Sequence, residues 1–73
     1  MSDTIYSGFI TQLATMSVET LAQQALICGE LEGEEECHAR AANYREQRDL
    51  VDAIGRFRFG IKYDEACEKV AAS

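Results

Sequence analysis

The chain has no proline and no tryptophan, a single histidine, and not one lysine or arginine before residue 40. Without proline nothing forbids a helix outright, so breaks must come from glycine or from capping residues. The three cysteines, Cys28, Cys37 and Cys67, are an odd number without a framework spacing, which argues against a disulfide-stapled secreted domain. The longest purely apolar run is Ala25–Cys28, far short of the roughly 20 residues that a membrane-spanning helix needs. The start, MSDTIYSGF, lacks the basic segment and apolar run of a secretory signal. These features together lead to the expectation of a cytoplasmic protein with reduced thiols.

What is present is a strong charge asymmetry. Residues 1–39 carry seven acids and no base, whereas residues 40–73 carry all seven bases against six acids, for a net charge of −6. Asymmetry of this kind describes a surface, and surfaces govern partners and association rates rather than fold. The 73 residues make one small helical domain. Such a chain buries only about 60% of the surface its unfolded form exposes, so its own core is marginal. With no disulfide framework or metal motif to compensate, self-association is the remaining route, and a homodimer is expected.

Ala, Leu, Glu, Gln and Arg dominate from Val18 to Arg58, and alternating strand patterns are absent, so the fold class is all-α with three or four helices. Ser2 or Asp3 can cap a short first helix carrying Ile5, Phe9, Ile10 and Leu13. Thr15-Met16-Ser17 reads as a break, with Ser17 as the next N-cap. Val18, Leu21, Ala22, Ala25 and Leu26 form an apolar stripe that ends at Gly29-Glu30-Leu31-Glu32-Gly33. A new stripe follows through Ala39, Ala42, Leu50, Ala53, Ile54 and Phe57. The change of face predicts a helical hairpin turning near residues 29–33, with Gly33 just past the helix end; one long kinked helix is the alternative. A long helix from about Glu34 to Phe57, a loop over Arg58–Lys62 marked by Gly60, and a short last helix capped by Asp64 complete the expected layout. The expected core and dimer residues are Phe9, Leu13, Leu21, Leu26, Ile27, Leu31, Tyr44, Leu50, Val51, Ile54, Phe57 and Val70.

Glu30, Glu32, Glu34, Glu35 and Glu36 place five carboxylates within seven residues. A helix beginning near Glu34 would hold three of them in its first turn, where the helix dipole favours acids by about 0.3–1 kcal/mol each. A solvated helix start is the plain reading. The functional one is that a surface bearing only carboxylates presents charge as a nucleic-acid backbone does, and is steered to basic grooves. Those five residues are then the partner-binding set, with Glu19 as an outlying charge.

The segment Arg56-Phe57-Arg58-Phe59-Gly60-Ile61-Lys62-Tyr63 interleaves cations and rings without an acid. Arg56, Phe57, Arg58, Phe59 and Tyr63 form an alternative partner-binding set, since such interleaving serves stacking and phosphate contact. The plain reading puts the rings in the core and the arginines in solvent. Direct nucleic-acid binding through Arg40, Arg45, Arg48, Arg56 and Arg58 is disfavoured by the overall negative charge.

Glu35 and His38 have the Glu-x-x-His spacing of di-iron bundles, but the matching carboxylates are missing. Cys28, Cys37, His38 and Cys67 are zinc-type ligands without zinc spacing. Cys37 and His38, adjacent in sequence, cannot readily form a nucleophile–base pair. No metal, cofactor or enzymatic activity is expected. The leading expectation is a small acidic inhibitor of phage or mobile-element type that binds a basic, nucleic-acid-handling host protein in the host cytosol. A helical dimer that caps a host protein through an apolar, aromatic surface is the first alternative, and a small nucleic-acid-binding regulator the second.

Overall fold

The computed structural model describes the backbone of residues 2–72 and the side chains of residues 8–72. It is all-helical, with no strand among the described residues: α1 (Ser2–Thr15), α2 (Val18–Glu34), α3 (His38–Phe59) and α4 (Ile61–Ala72). The expected capping by Ser2 or Asp3 and the packing of Ile5 lie outside the described side chains.

The α1–α2 break falls where the sequence places it. Ser17 takes an extended backbone (φ −69°, ψ 163°) and its hydroxyl accepts a hydrogen bond from the Thr20 N–H at 3.2 Å, satisfying one of the four open donors of the α2 start. The α2–α3 hairpin is present as expected, but its turn is not at residues 29–33. α2 runs through both glycines to Glu34, and the link is Glu35-Glu36-Cys37.

The apolar stripe of α2 gives way to a polar one on the same inward face. Leu21, Ala22, Ala25 and Cys28 are buried; the next inward positions, Gly29 and Glu32, meet Arg48 and Arg45 of α3. A Cβ at Gly29 would lie 2.9 Å from Arg48 Nη1, so the glycine makes room for a crossing side chain rather than ending the helix. Gly33 is an ordinary helical residue, since the one positive φ among the described residues belongs to Gly60.

α3 consequently starts at His38, later than the expected Glu34. Its N-cap, Cys37, makes no side-chain cap bond; instead the Glu35 carboxylate accepts from the Cys37 N–H at 3.1 Å. At the other end the expected loop over Arg58–Lys62 shrinks to one residue. Gly60, at φ 60° and ψ −131°, occupies backbone space that side chains disfavour, and its N–H closes α3 on the Arg56 carbonyl at 2.9 Å. α4 begins at Ile61, three residues before the expected Asp64 cap; Asp64 sits in its first turn and pairs with Arg56 at 3.4 Å.

The core is built from Leu13, Leu21, Ala25, Val51 and Tyr63, with Phe9, Met16, Val18, Leu50, Ile54, Phe59 and Cys67 packed against it. Six of the expected core residues are there (Phe9, Leu13, Leu21, Leu50, Val51, Ile54), and Tyr44 and Val70 are half-buried. Leu26, Ile27 and Leu31 are exposed, because the inward line of α2 passes through Ala25 and Cys28 instead. Phe57 is 92% exposed.

Tyr63 is the largest fully buried side chain among the described residues, and its ring packs directly against α3 at Gly55. A Cβ at position 55 would overlap Cγ, Cδ1 and Cε1 of that ring. α1 is fastened to the far end of α3 by Arg58, whose Nη1 donates to the carbonyls of Leu13 (2.8 Å) and Met16 (2.6 Å) while its guanidinium stacks 4.6 Å from the Phe59 ring centroid. α1 has no basic residue of its own in its last turn, so α3 supplies the cation that the carbonyl end of a helix favours. Gly55→Ala is expected to lower stability by about 1–3 kcal/mol through overpacking against Tyr63, despite alanine's better helix propensity, and urea unfolding followed by circular dichroism measures it.

Candidate functional site: an acidic helix corner

The five clustered glutamates fall at the α2–α3 corner, in the last turns of α2 and in the link. They do not occupy the first turn of α3, which contains no acid. Glu30, Glu32 and Glu34 instead crowd the negative end of the α2 dipole, where no base of α2 offsets them. The offset comes from across the hairpin. Arg45 Nε donates to Glu32 Oε2 at 3.0 Å, with the Glu32 side chain only 27% exposed. Arg45 therefore reaches across the hairpin to Glu32 of α2.

Two of the five carboxylates are thus used locally, Glu32 by Arg45 and Glu35 by the Cys37 N–H. Glu30, Glu34 and Glu36 are exposed and make no ion pair among the described residues. Glu19, the outlying charge, lies elsewhere, at the start of α2 on a groove it shares with Lys62 and Lys69. The corner is a three-carboxylate surface rather than a six-carboxylate one.

The alternative set of Arg56, Phe57, Arg58, Phe59 and Tyr63 is dispersed by the fold. Tyr63 is in the core, Phe59 packs on it, Arg58 caps α1 and Arg56 holds Asp64. Phe57 alone of the five projects without an internal role. Of the other arginines, Arg45 and Arg48 are engaged with Glu32 and with Asp52 (3.9 Å), which leaves little positive charge to meet a phosphate backbone.

A second polar group was not foreseen. The Tyr63 hydroxyl donates to Asp52 Oδ1 at 2.5 Å, Asp52 lies near Arg48, and Gln24, Cys28 and Cys67 border them from α2 and α4. A small hollow of about 100 Å³ opens beside this network, lined by Ala22, Ala25, Leu26, Arg48, Asp52, Cys67 and Ala71. Burial raises the Tyr63 hydroxyl well above its usual range, and the adjacent Asp52 carboxylate adds to it. Burial likewise raises the Cys28 thiol, with Arg48 pulling the other way. Both groups are held protonated, so neither is prepared as a nucleophile. The network fastens α4 to α3. Its signal in the sequence was the Asp52/Tyr63 pair straddling Gly55 and Gly60, which can meet only if α4 folds back immediately.

Among the described residues no three His, Cys, Asp or Glu side chains converge on a metal-sized site, and no helix is long and apolar enough to cross a membrane. Comparison of the chain with models of known protein families, with characterised proteins and with solved structures finds no match.

The folded state holds the Tyr63 proton more tightly than the unfolded chain does. Its contribution to stability is therefore present below pH 10.0, the ordinary tyrosine value, and declines as the pH rises beyond it, by at most about 1.4 kcal/mol per pH unit. Denaturant unfolding between pH 8 and 11 should show that decline in the parent protein and a flatter profile in Tyr63→Phe. Thiol labelling at neutral pH should modify exposed Cys37 first and buried Cys28 only on unfolding.

Proposed function

We propose that this chain is a non-enzymatic inhibitor, of the kind a phage or mobile element directs at its host, and that it binds a basic nucleic-acid-handling protein through the acidic α2–α3 corner. The observation that carries this reading is the state of the corner carboxylates: Glu30, Glu34 and Glu36 are exposed and without ion pairs among the described residues, while most of the arginines are engaged within the chain. A local excess of negative charge on a small rigid hairpin attracts a basic groove at long range and can occupy it in place of a phosphate backbone. Glu32 and Glu35 shape the corner, and the three free carboxylates make contact. The working unit is a homodimer in the host cytosol, which doubles the acidic surface offered to the partner.

The experiment is affinity capture from a bacterial lysate on the parent protein and on the E30K/E34K/E36K variant, with washes at low and high salt and mass spectrometry of the retained proteins. A nucleic-acid-binding protein held at low salt, released at high salt and lost with the variant supports the reading. Retention that is indifferent to both salt and the three substitutions overturns it. Because the three glutamates are exposed and contribute nothing to the core, the variant's helical circular dichroism should match the parent's.

A further inference from the structure

The most exposed large apolar side chain among the described residues, Phe57 at 92%, lies on the same helix as the wall of an open hollow of about 390 Å³ between α1 and α3, lined by Ile10, Glu46, Asp49 and Leu50. Burying a phenylalanine ring is favourable, and a hollow floored by Ile10 and Leu50 is the kind of space a ring fills. Along α3, Glu46, Leu50, Ala53 and Phe57 follow one another at intervals of four, three and four residues, the spacing of a helix–helix seam. This outer seam is separate from the inward line of Val51 and Gly55 that faces the core.

We propose that this seam is the contact between two copies of the chain, with their α3 helices antiparallel about a two-fold axis and Phe57 of each copy seated in the Ile10/Leu50 hollow of the other. Antiparallel pairing about the middle of the seam sets position 57 opposite position 46 of the second copy, beside the hollow, and position 50 opposite position 53. Ala53 is small enough to let the helices approach there. The knob and the hole are one surface seen twice, as an isologous interface requires.

Charge fixes the direction. Asp49 and Arg56 stand one residue before Leu50 and Phe57 and so share one flank of the seam. In an antiparallel pair the same flanks meet, so Asp49 faces Arg56 of the second copy, twice over. The Arg56 side chain is 63% exposed, and its guanidinium, which meets Asp64 through Nε at 3.4 Å, has further donors to offer. A parallel pair would stack Phe57 on Phe57 far from the hollow and bring opposite flanks together, so Asp49 would not meet Arg56. Another exposed apolar pair, Ile27 and Leu31 on α2, is flanked by Glu30 and Glu34, so a second copy placed there would crowd carboxylates.

This interface rests on the dimeric unit of the proposed function, but not on which partner the acidic corner meets. Sedimentation velocity across a micromolar to millimolar series tests it on the parent, F57K, D49R and D49R/R56D, each checked for unchanged helicity. The parent is expected to reach twice its 8.1 kDa chain mass. F57K and D49R should each raise the concentration of half-association at least tenfold, and D49R/R56D should restore association by exchanging the two charges. A parent that stays monomeric throughout overturns both the dimer and this interface. A dimer indifferent to F57K and D49R overturns this interface and leaves the dimer standing.

Discussion

The contact between the Tyr63 ring and the backbone at Gly55 is the constraint on which the remaining structure hangs. It needs a residue without a side chain inside the C-terminal part of a 22-residue helix, at a helix-propensity cost of up to about 1 kcal/mol. In return α4 comes close enough for the tyrosine hydroxyl to reach Asp52, and one buried side chain joins α3 to α4 by packing and by a hydrogen bond at once. Gly60 serves the same end from the chain side, since only a one-residue reversal puts position 63 over position 55. Val51, Leu21 and Ala25 then close around the ring, and α2 acquires its register from them.

That register in turn decides the electrostatics. Once Ala25 and Cys28 face α3, the next inward residues of α2 are Gly29 and Glu32, and the opposing residues of α3 are Arg48 and Arg45. The apolar half of the hairpin interface is continued by a charged half. The division leaves Glu30, Glu34 and Glu36 without ion pairs among the described residues, while Arg45 and Arg48 are committed to Glu32 and Asp52. Core packing at one end of the hairpin thereby produces the uncompensated charge at the other.

Helical class, the Ser17 cap and the Gly60 stop were legible because each rests on local chemistry: propensity, a hydroxyl accepting from a nearby N–H, a backbone conformation that favours glycine. The α2–α3 turn was not, because two glycines and a loss of apolar periodicity look the same whether a helix ends or meets cations across a hairpin. Gly29 was read as a break when it is a clearance for Arg48. For Tyr63 the sequence leaves a core position and an exposed aromatic segment both open, for a related reason: its burial depends on Gly55, eight residues away and in another helix. Of the candidate site, the acidic corner could be located from the residues alone. Which of its carboxylates are left exposed could not, since that depends on Arg45 reaching Glu32 and on Glu35 turning back to the Cys37 N–H.

The Arg58 clamp has a bearing on how this protein comes apart. α1 contributes one fully buried described side chain, Leu13, and is held at its C-terminal end by a single guanidinium from α3. α2, α3 and α4 are tied together by the Tyr63 core and by the ion pairs between them. Hierarchical opening is the expectation: α1 swings away at a fraction of the global unfolding free energy, and the three-helix remainder carries the slowest-exchanging amides. A single side chain sets the boundary between the two units. The expected first event in unfolding is the loss of the Arg58 hydrogen bonds, which would bare the Leu13 side of the core and leave the acidic corner, at the opposite end of α3, in place.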